Sequence, residues 1–172
     1  MTLSVHRALV PGIVTTLNAL SAILDKAQAF AEAKKFDPEV LTSARLAPDM
    51  APLRAQIQIA SDTAKGAAAR LAGVDVPSWE DTEKTIPELK ERIAKTVAFL
   101  ESIRPEQFEG AESRVIDMKA GPNTLSFEAP DYLFGFVIPN IYFHVTTAYA
   151  ILRHNGVEVG KRDFLGSIPM RS

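Results

Sequence analysis

The sequence predicts an all-α protein: a four-helix bundle with a short β-hairpin between its third and last long helices. Three observations carry this reading. Apolar residues recur at helical spacing over long stretches, the run Tyr132–Leu152 holds no Asp, Glu, Lys or Arg, and the period changes to two over Arg114–Phe127. At 172 residues, 47% of them hydrophobic and 23% charged, the chain has the composition of a single globular domain spanning 1–172.

The first helix is expected over residues 3 to 33, where Val5, Leu9, Ile13, Leu17, Leu20, Leu24, Ala27 and Phe30 follow the helical period. Pro11-Gly12 should kink it or cut off a short first segment, because proline lacks a donor and crowds the preceding turn. An irregular connection follows from Lys34 to Asp49, with Asp37-Pro38-Glu39 suited to start one helical turn. Pro48-Asp49 leads into a second helix over about Met50–Ala72, with Asp49 as its N-cap and Gly73 as its stop. Small residues crowd the second half of that helix and permit close approach by a neighbour.

The third helix opens on Thr85-Ile86-Pro87-Glu88, a capping box, after a loop Val74–Lys84 carrying the sole tryptophan, Trp79. Its stripe of Ile86, Leu89, Ile93, Val97, Leu100 and Ile103 runs to the stop at Arg104-Pro105. The hairpin turns at Ala120-Gly121-Pro122-Asn123 and must pack on the bundle, since two strands alone are marginal in water. The last helix starts near Pro130-Asp131 and ends before Asn155-Gly156, with Pro139 expected to bend or split it. It reads as the central helix, buried on most sides. The tail Val157–Ser172 should fold back as one short turn.

Nineteen basic and 21 acidic residues, with no block of like charge, leave no footprint for nucleic acid. The absence of cysteine excludes disulfides, thiolate metal sites and a thiol nucleophile, and suits a reducing cytoplasmic setting. The N-terminal stretch reads as mature protein, not a leader. Tyr132–Leu152 has the length of a membrane span, but Pro139, Asn140, His144, Thr146 and Thr147 interrupt it, so no membrane is expected.

Chemistry is expected on the last helix. Asn140 and His144 lie i, i+4 on one face, which points His144 toward the bundle interior. Its ring nitrogens should find hydrogen-bond partners there, such as Asn140, Gln56 or a tyrosine hydroxyl. His6 and His154 read as peripheral. Tyr132, Phe134, Phe136, Tyr142, Phe143 and Tyr149 could line a pocket for an apolar small molecule or serve as core or a dimer face. No serine–histidine–acid spacing, phosphate loop or carboxylate pair stands out.

The segment PNIYFHVTTAYAILRHNG resembles the last bundle helix of the DinB/YfiT-like metalloenzyme superfamily. Pro48-Asp49-Met50 leading into Gln56, Arg70-Leu71-Ala72-Gly73, Pro139-Asn140, Tyr142-Phe143-His144, and Asn155-Gly156 through Gly160-Lys161 extend the likeness to a branch of uncharacterised bacterial proteins. The resemblance implies a DinB-like up-and-down bundle, homodimers, and a site where one histidine of the second helix meets two of the last. Here the first of those two positions is Asn140 and the second is His144. The second helix has no histidine; Gln56 or Asp62 are its nearest polar substitutes, and a degenerate triad would have Gln56 face Asn140 across the bundle.

One imidazole with neutral amides is a poor donor set for zinc or nickel, so no divalent metal site is expected and His144 is the single candidate ligand. Ligand-binding candidates are therefore His144, Asn140, Gln56, Asp62 and Tyr142. Two classes follow from the resemblance: a small-molecule, thiol-dependent transferase or isomerase with a degenerate metal site, or a non-catalytic small-molecule-binding or structural homodimer that has lost the metal triad.

Overall fold

The computed structural model describes residues 4–168; the expected helix start at residue 3 and the end of the tail lie outside them. Its long helices are α1 (Val5–Lys34), α3 (Leu53–Ala72), α4 (Ile86–Ser102) and α5 (Ile138–His154), with short helices α2 (Glu39–Ser43) and α6 (Lys161–Leu165). Strands β1 (Val115–Ala120) and β2 (Asn123–Glu128) pair antiparallel between α4 and α5. This is the all-α bundle with a hairpin that the sequence predicts.

Local signals fix most element ends. Ser4 caps α1 by accepting from the Arg7 N–H at 3.2 Å. Pro11 does not divide that helix. The bond it removes lies on an exposed face, where the Arg7 carbonyl can turn to water, and the helix continues through it. Gly73 ends α3 at φ 70°, and the Arg114 guanidinium closes that end by donating to the Leu71 carbonyl. At α4 the capping box is formed: Glu88 N–H donates to Thr85 Oγ1 at 3.4 Å, and Thr85 N–H donates to Glu88 Oε2 at 2.8 Å. Asp49 does not cap α3. Three residues separate it from the helix, which begins after Pro52, because proline disfavours helical geometry in the residue before it.

The hairpin turns on Gly121 at φ 59° followed by Pro122, so glycine supplies the positive φ that a two-residue turn demands. Ile116 faces Phe127 across the ladder, and this pair points inward. Phe127 continues into an aromatic cluster with Tyr132 and Phe136, at centroid distances of 5.7 and 5.8 Å, which anchors the hairpin to the bundle.

The packing places α3, not α5, at the centre. Helix α3 contacts α1, α2, α4 and α5, and 14 of its 20 residues are buried, among them Ala60, Ala64, Ala67, Ala68 and Ala69. Only six of the 17 residues in α5 are buried, and Phe134 just before it and Phe143 within it are 58% and 56% exposed. The expectation that the last helix is buried on most sides is therefore corrected: its uncharged surface is in large part exposed. Both Val5–Lys34 and Asp131–His154 are long and apolar enough to cross a membrane, with 50% and 39% of their most apolar windows buried in the bundle.

Pro139 neither splits nor ends the last helix. A π-helical segment, Asp131–Val137, runs straight into α5, and the Ile138 N–H still bonds five residues back, to the Leu133 carbonyl. The wider turn takes up the backbone mismatch that proline brings to a helix interior.

Replacing Thr85 with alanine should lower unfolding free energy by about 1 kcal/mol through loss of the α4 cap. Urea denaturation checks this; an unchanged midpoint would mean that Glu88 alone holds the helix start.

Candidate functional site

The side chains at issue lie where α3 and α5 run side by side. On α3, Gln56, Ile59 and Thr63 fall on one stripe; on α5, Asn140 and His144 face it. Gln56 Oε1 lies 2.7 Å from His144 Nδ1, and Asn140 Nδ2 donates to Thr63 Oγ1 at 3.3 Å. The two pairs run in opposite order along the helices, as antiparallel neighbours require. Gln56 thus meets His144 rather than Asn140.

Gln56 is 2% exposed and makes a second bond, donating from Nε2 to the Ala51 carbonyl at 2.9 Å. That bond links the seam to the connection between α2 and α3. The Phe143 ring stands edge-on to the imidazole, with centroids 5.2 Å apart. Burial pushes the His144 pKa below its ordinary value, so the ring is neutral near pH 7.

Asp62 and Tyr142 do not join the seam. Asp62 turns toward α4, where its Oδ1 accepts from Arg92 Nη2 at 2.8 Å and from Lys65 Nζ at 2.6 Å. The Arg92 side chain, 1% exposed, also pairs with Asp81 at 2.8 Å and Glu83 at 3.0 Å, and it donates to the Glu80 carbonyl. Burial alone would raise the Glu83 pKa, but hydrogen bonds from Gln58 and Arg92 hold it below the usual carboxylate range. Lys65 and Lys95 both stack on Trp79, at 4.3 and 4.5 Å from the ring centroid. This cluster ties the Trp79 loop to α3 and α4. A cleft of about 430 Å³ opens beside it, lined by Trp79, Glu80, Glu83, Glu91, Arg92 and Lys95 among others. Tyr142 lies on the outer side of α5, beside an apolar cleft of about 410 Å³ shared with Leu46, Phe143 and Ala150.

Two partners escaped the sequence reading. Thr63 stands seven residues after Gln56, two helical turns along the same stripe, and could have been found by that spacing. The Ala51 carbonyl leaves no side-chain signal. Arg92, a basic residue set within an apolar stripe, was the visible mark of the ion cluster.

The donors at the seam are one imidazole, two amides and a hydroxyl. Among the described residues no group of three His, Asp or Glu side chains is placed to hold a metal ion. Gln56 Oε1 is taken up by the imidazole, and neutral amide and hydroxyl oxygens bind zinc or nickel weakly. The superfamily's three-histidine metal does not fit this donor set.

A depressed histidine pKa has a defined consequence for stability. The unfolded chain takes up the proton near pH 6.5 while the folded chain resists it, so stability is complete above that value and falls as pH drops through the folded pKa. Between about pH 7.5 and about pH 5.5 the wild type should lose more thermal stability than His144→Gln. Parallel melting-temperature profiles would show that the ring is not resisting protonation.

Residues 5–165 match the family described as a domain of unknown function, DUF1993. Comparison with curated proteins finds no match. The crystal structure of a DinB family member protein from Shewanella denitrificans is similar over 97% of this chain and 94% of that chain, with 43% sequence identity and a TM-score of 0.91. With its bundle, its inserted hairpin and its α3–α5 seam, the chain belongs to the DUF1993 family and is a DinB-like protein.

Proposed function

We propose that this protein is a DinB-like small-molecule-binding protein whose α3–α5 seam works through hydrogen bonding at a neutral imidazole rather than through a bound metal. The observation that carries this reading is the Gln56–His144 hydrogen bond. Gln56 lies on the helix that would supply the first imidazole of the metal triad, and its amide is engaged in holding His144. Asn140, at the second imidazole position, is paired with Thr63. A thiol-dependent transferase or isomerase of the superfamily's kind draws on three imidazoles, and this seam supplies one.

The same reading takes the protein as cytoplasmic and homodimeric, with neither nucleic acid nor membrane as partner. The outward stripe of Phe134, Tyr142 and Phe143, in a stretch without charge, supports pairing of two copies.

Metal analysis of protein purified without a histidine tag tests the central claim. The wild type should carry substoichiometric metal, and added zinc or nickel should leave its melting temperature unchanged. Stoichiometric metal in the wild type that is lost in His144→Ala would overturn the reading. Small molecules that raise the melting temperature should do so less in His144→Ala; stabilisation that survives the substitution would place binding elsewhere.

A further inference from the structure

The geometry points to an acceptor site of fixed tautomer: Gln56 holds His144 with its proton on Nδ1, so that Nε2 offers a bare lone pair to a neutral hydrogen-bond donor carried on an apolar body. This rests on the metal-independent reading above and names the class of ligand for the same seam.

The argument starts from a backbone carbonyl. The Ala51 oxygen can only accept, so the Gln56 atom 2.9 Å from it must be the amide nitrogen. The opposite orientation would set two acceptors against each other in a buried place. The Gln56 oxygen therefore faces His144 Nδ1 at 2.7 Å, and a carbonyl oxygen can only accept as well. Nδ1 must carry the hydrogen. In a neutral ring that leaves Nε2 without one. Free histidine in water favours the other tautomer, so the arrangement is imposed by the protein.

The neighbouring groups share this polarity. Asn140 donates from Nδ2 to Thr63 Oγ1 at 3.3 Å, and in this orientation its oxygen is a second acceptor one turn before His144. Among the described residues neither His144 Nε2 nor Asn140 Oδ1 has a hydrogen-bond partner, and neither is a fully enclosed atom. The apolar side chains close by are exposed: Ile59 on the α3 stripe and Phe143 against the imidazole. A hydroxyl, thiol or amide N–H on an apolar body meets these demands. A molecule offering only acceptors would meet lone pairs with lone pairs. Gln56 is thus a positioning residue, acting on the ligand through His144.

The test uses full-length, nitrogen-15-labelled protein dialysed against chelator, so that the outcome is independent of the metal result. Long-range proton–nitrogen spectra at neutral pH should show a protonated Nδ1 and a bare Nε2 for His144. A ring protonated on Nε2, or on both nitrogens, overturns the inference with no variant needed. In Gln56→Leu the fixed tautomer should be lost; its retention there counts against the positioning role.

Benzyl alcohol and benzyl methyl ether then serve as probes of similar shape, one with a donor and one without. The alcohol should shift the Nε2 resonance saturably and bind roughly tenfold more tightly than the ether. Equal binding, or no shift with the alcohol up to its solubility, overturns the ligand class. Such an outcome in metal-free protein leaves the metal-independent reading standing, whereas stoichiometric metal would remove that reading itself.

Discussion

The close packing of α3 against its neighbours is the constraint on which the rest of the structure depends. Its buried face is built largely of alanine, at positions 60, 64, 67, 68, 69 and 72. Side chains that end at Cβ let the facing helices approach, and a short interaxial distance is what allows modest polar side chains to bridge from one helix to the next. Gln56 reaches His144 and Thr63 reaches Asn140 because of that proximity. Larger residues along this face would push α5 outward and separate both pairs.

Helix α3 carries two polar fronts on either side of its apolar body. Gln56 and Thr63 look toward α5, while Gln58, Asp62 and Lys65 look toward α4 and the Trp79 loop. The first front is neutral and half open, with acceptor atoms left over. The second is ionic and centred on Arg92, whose charge is matched by three carboxylates while its Nε has no partner among the described residues. Burying a guanidinium is tolerable only with such matching. The ionic front therefore serves the loop's placement, and the neutral front is the place for recognition.

Much of the architecture was legible because its signals are local. The Thr85–Glu88 box, the Gly73 stop and the Gly121-Pro122 turn are decided within a few residues by backbone chemistry, and each forms as its sequence implies. The face shared by Asn140 and His144 follows from helical spacing alone. What failed depended on the third dimension. The expected Gln56–Asn140 contact gives way to Thr63–Asn140, while Gln56 bonds His144, one of the partners expected for that ring, because the choice turns on how far α3 slides along α5, which no pattern within either helix encodes. Asp62 pairs with Arg92 instead of joining the seam for the same reason: a shift of one residue along a helix swings a side chain by about 100°. The exposure of Phe134 and Phe143 was hidden because an uncharged helix reads as a buried one until its surroundings are known.

The π-helical turn at Asp131–Val137 bears on how this chain tolerates change in length. A π turn holds more residues than an α turn, so it stores slack in an otherwise rigid rod. Loss of one residue there could be absorbed by tightening to α geometry, and the helix would still form. Everything downstream would be rotated about the axis relative to the hairpin and Tyr132, which are held by their own aromatic packing. Asn140 and His144 would then face a different direction from the one α3 requires. The segment works as a phase setting between two anchored parts, and residue count there is constrained even where residue identity on its exposed side is free.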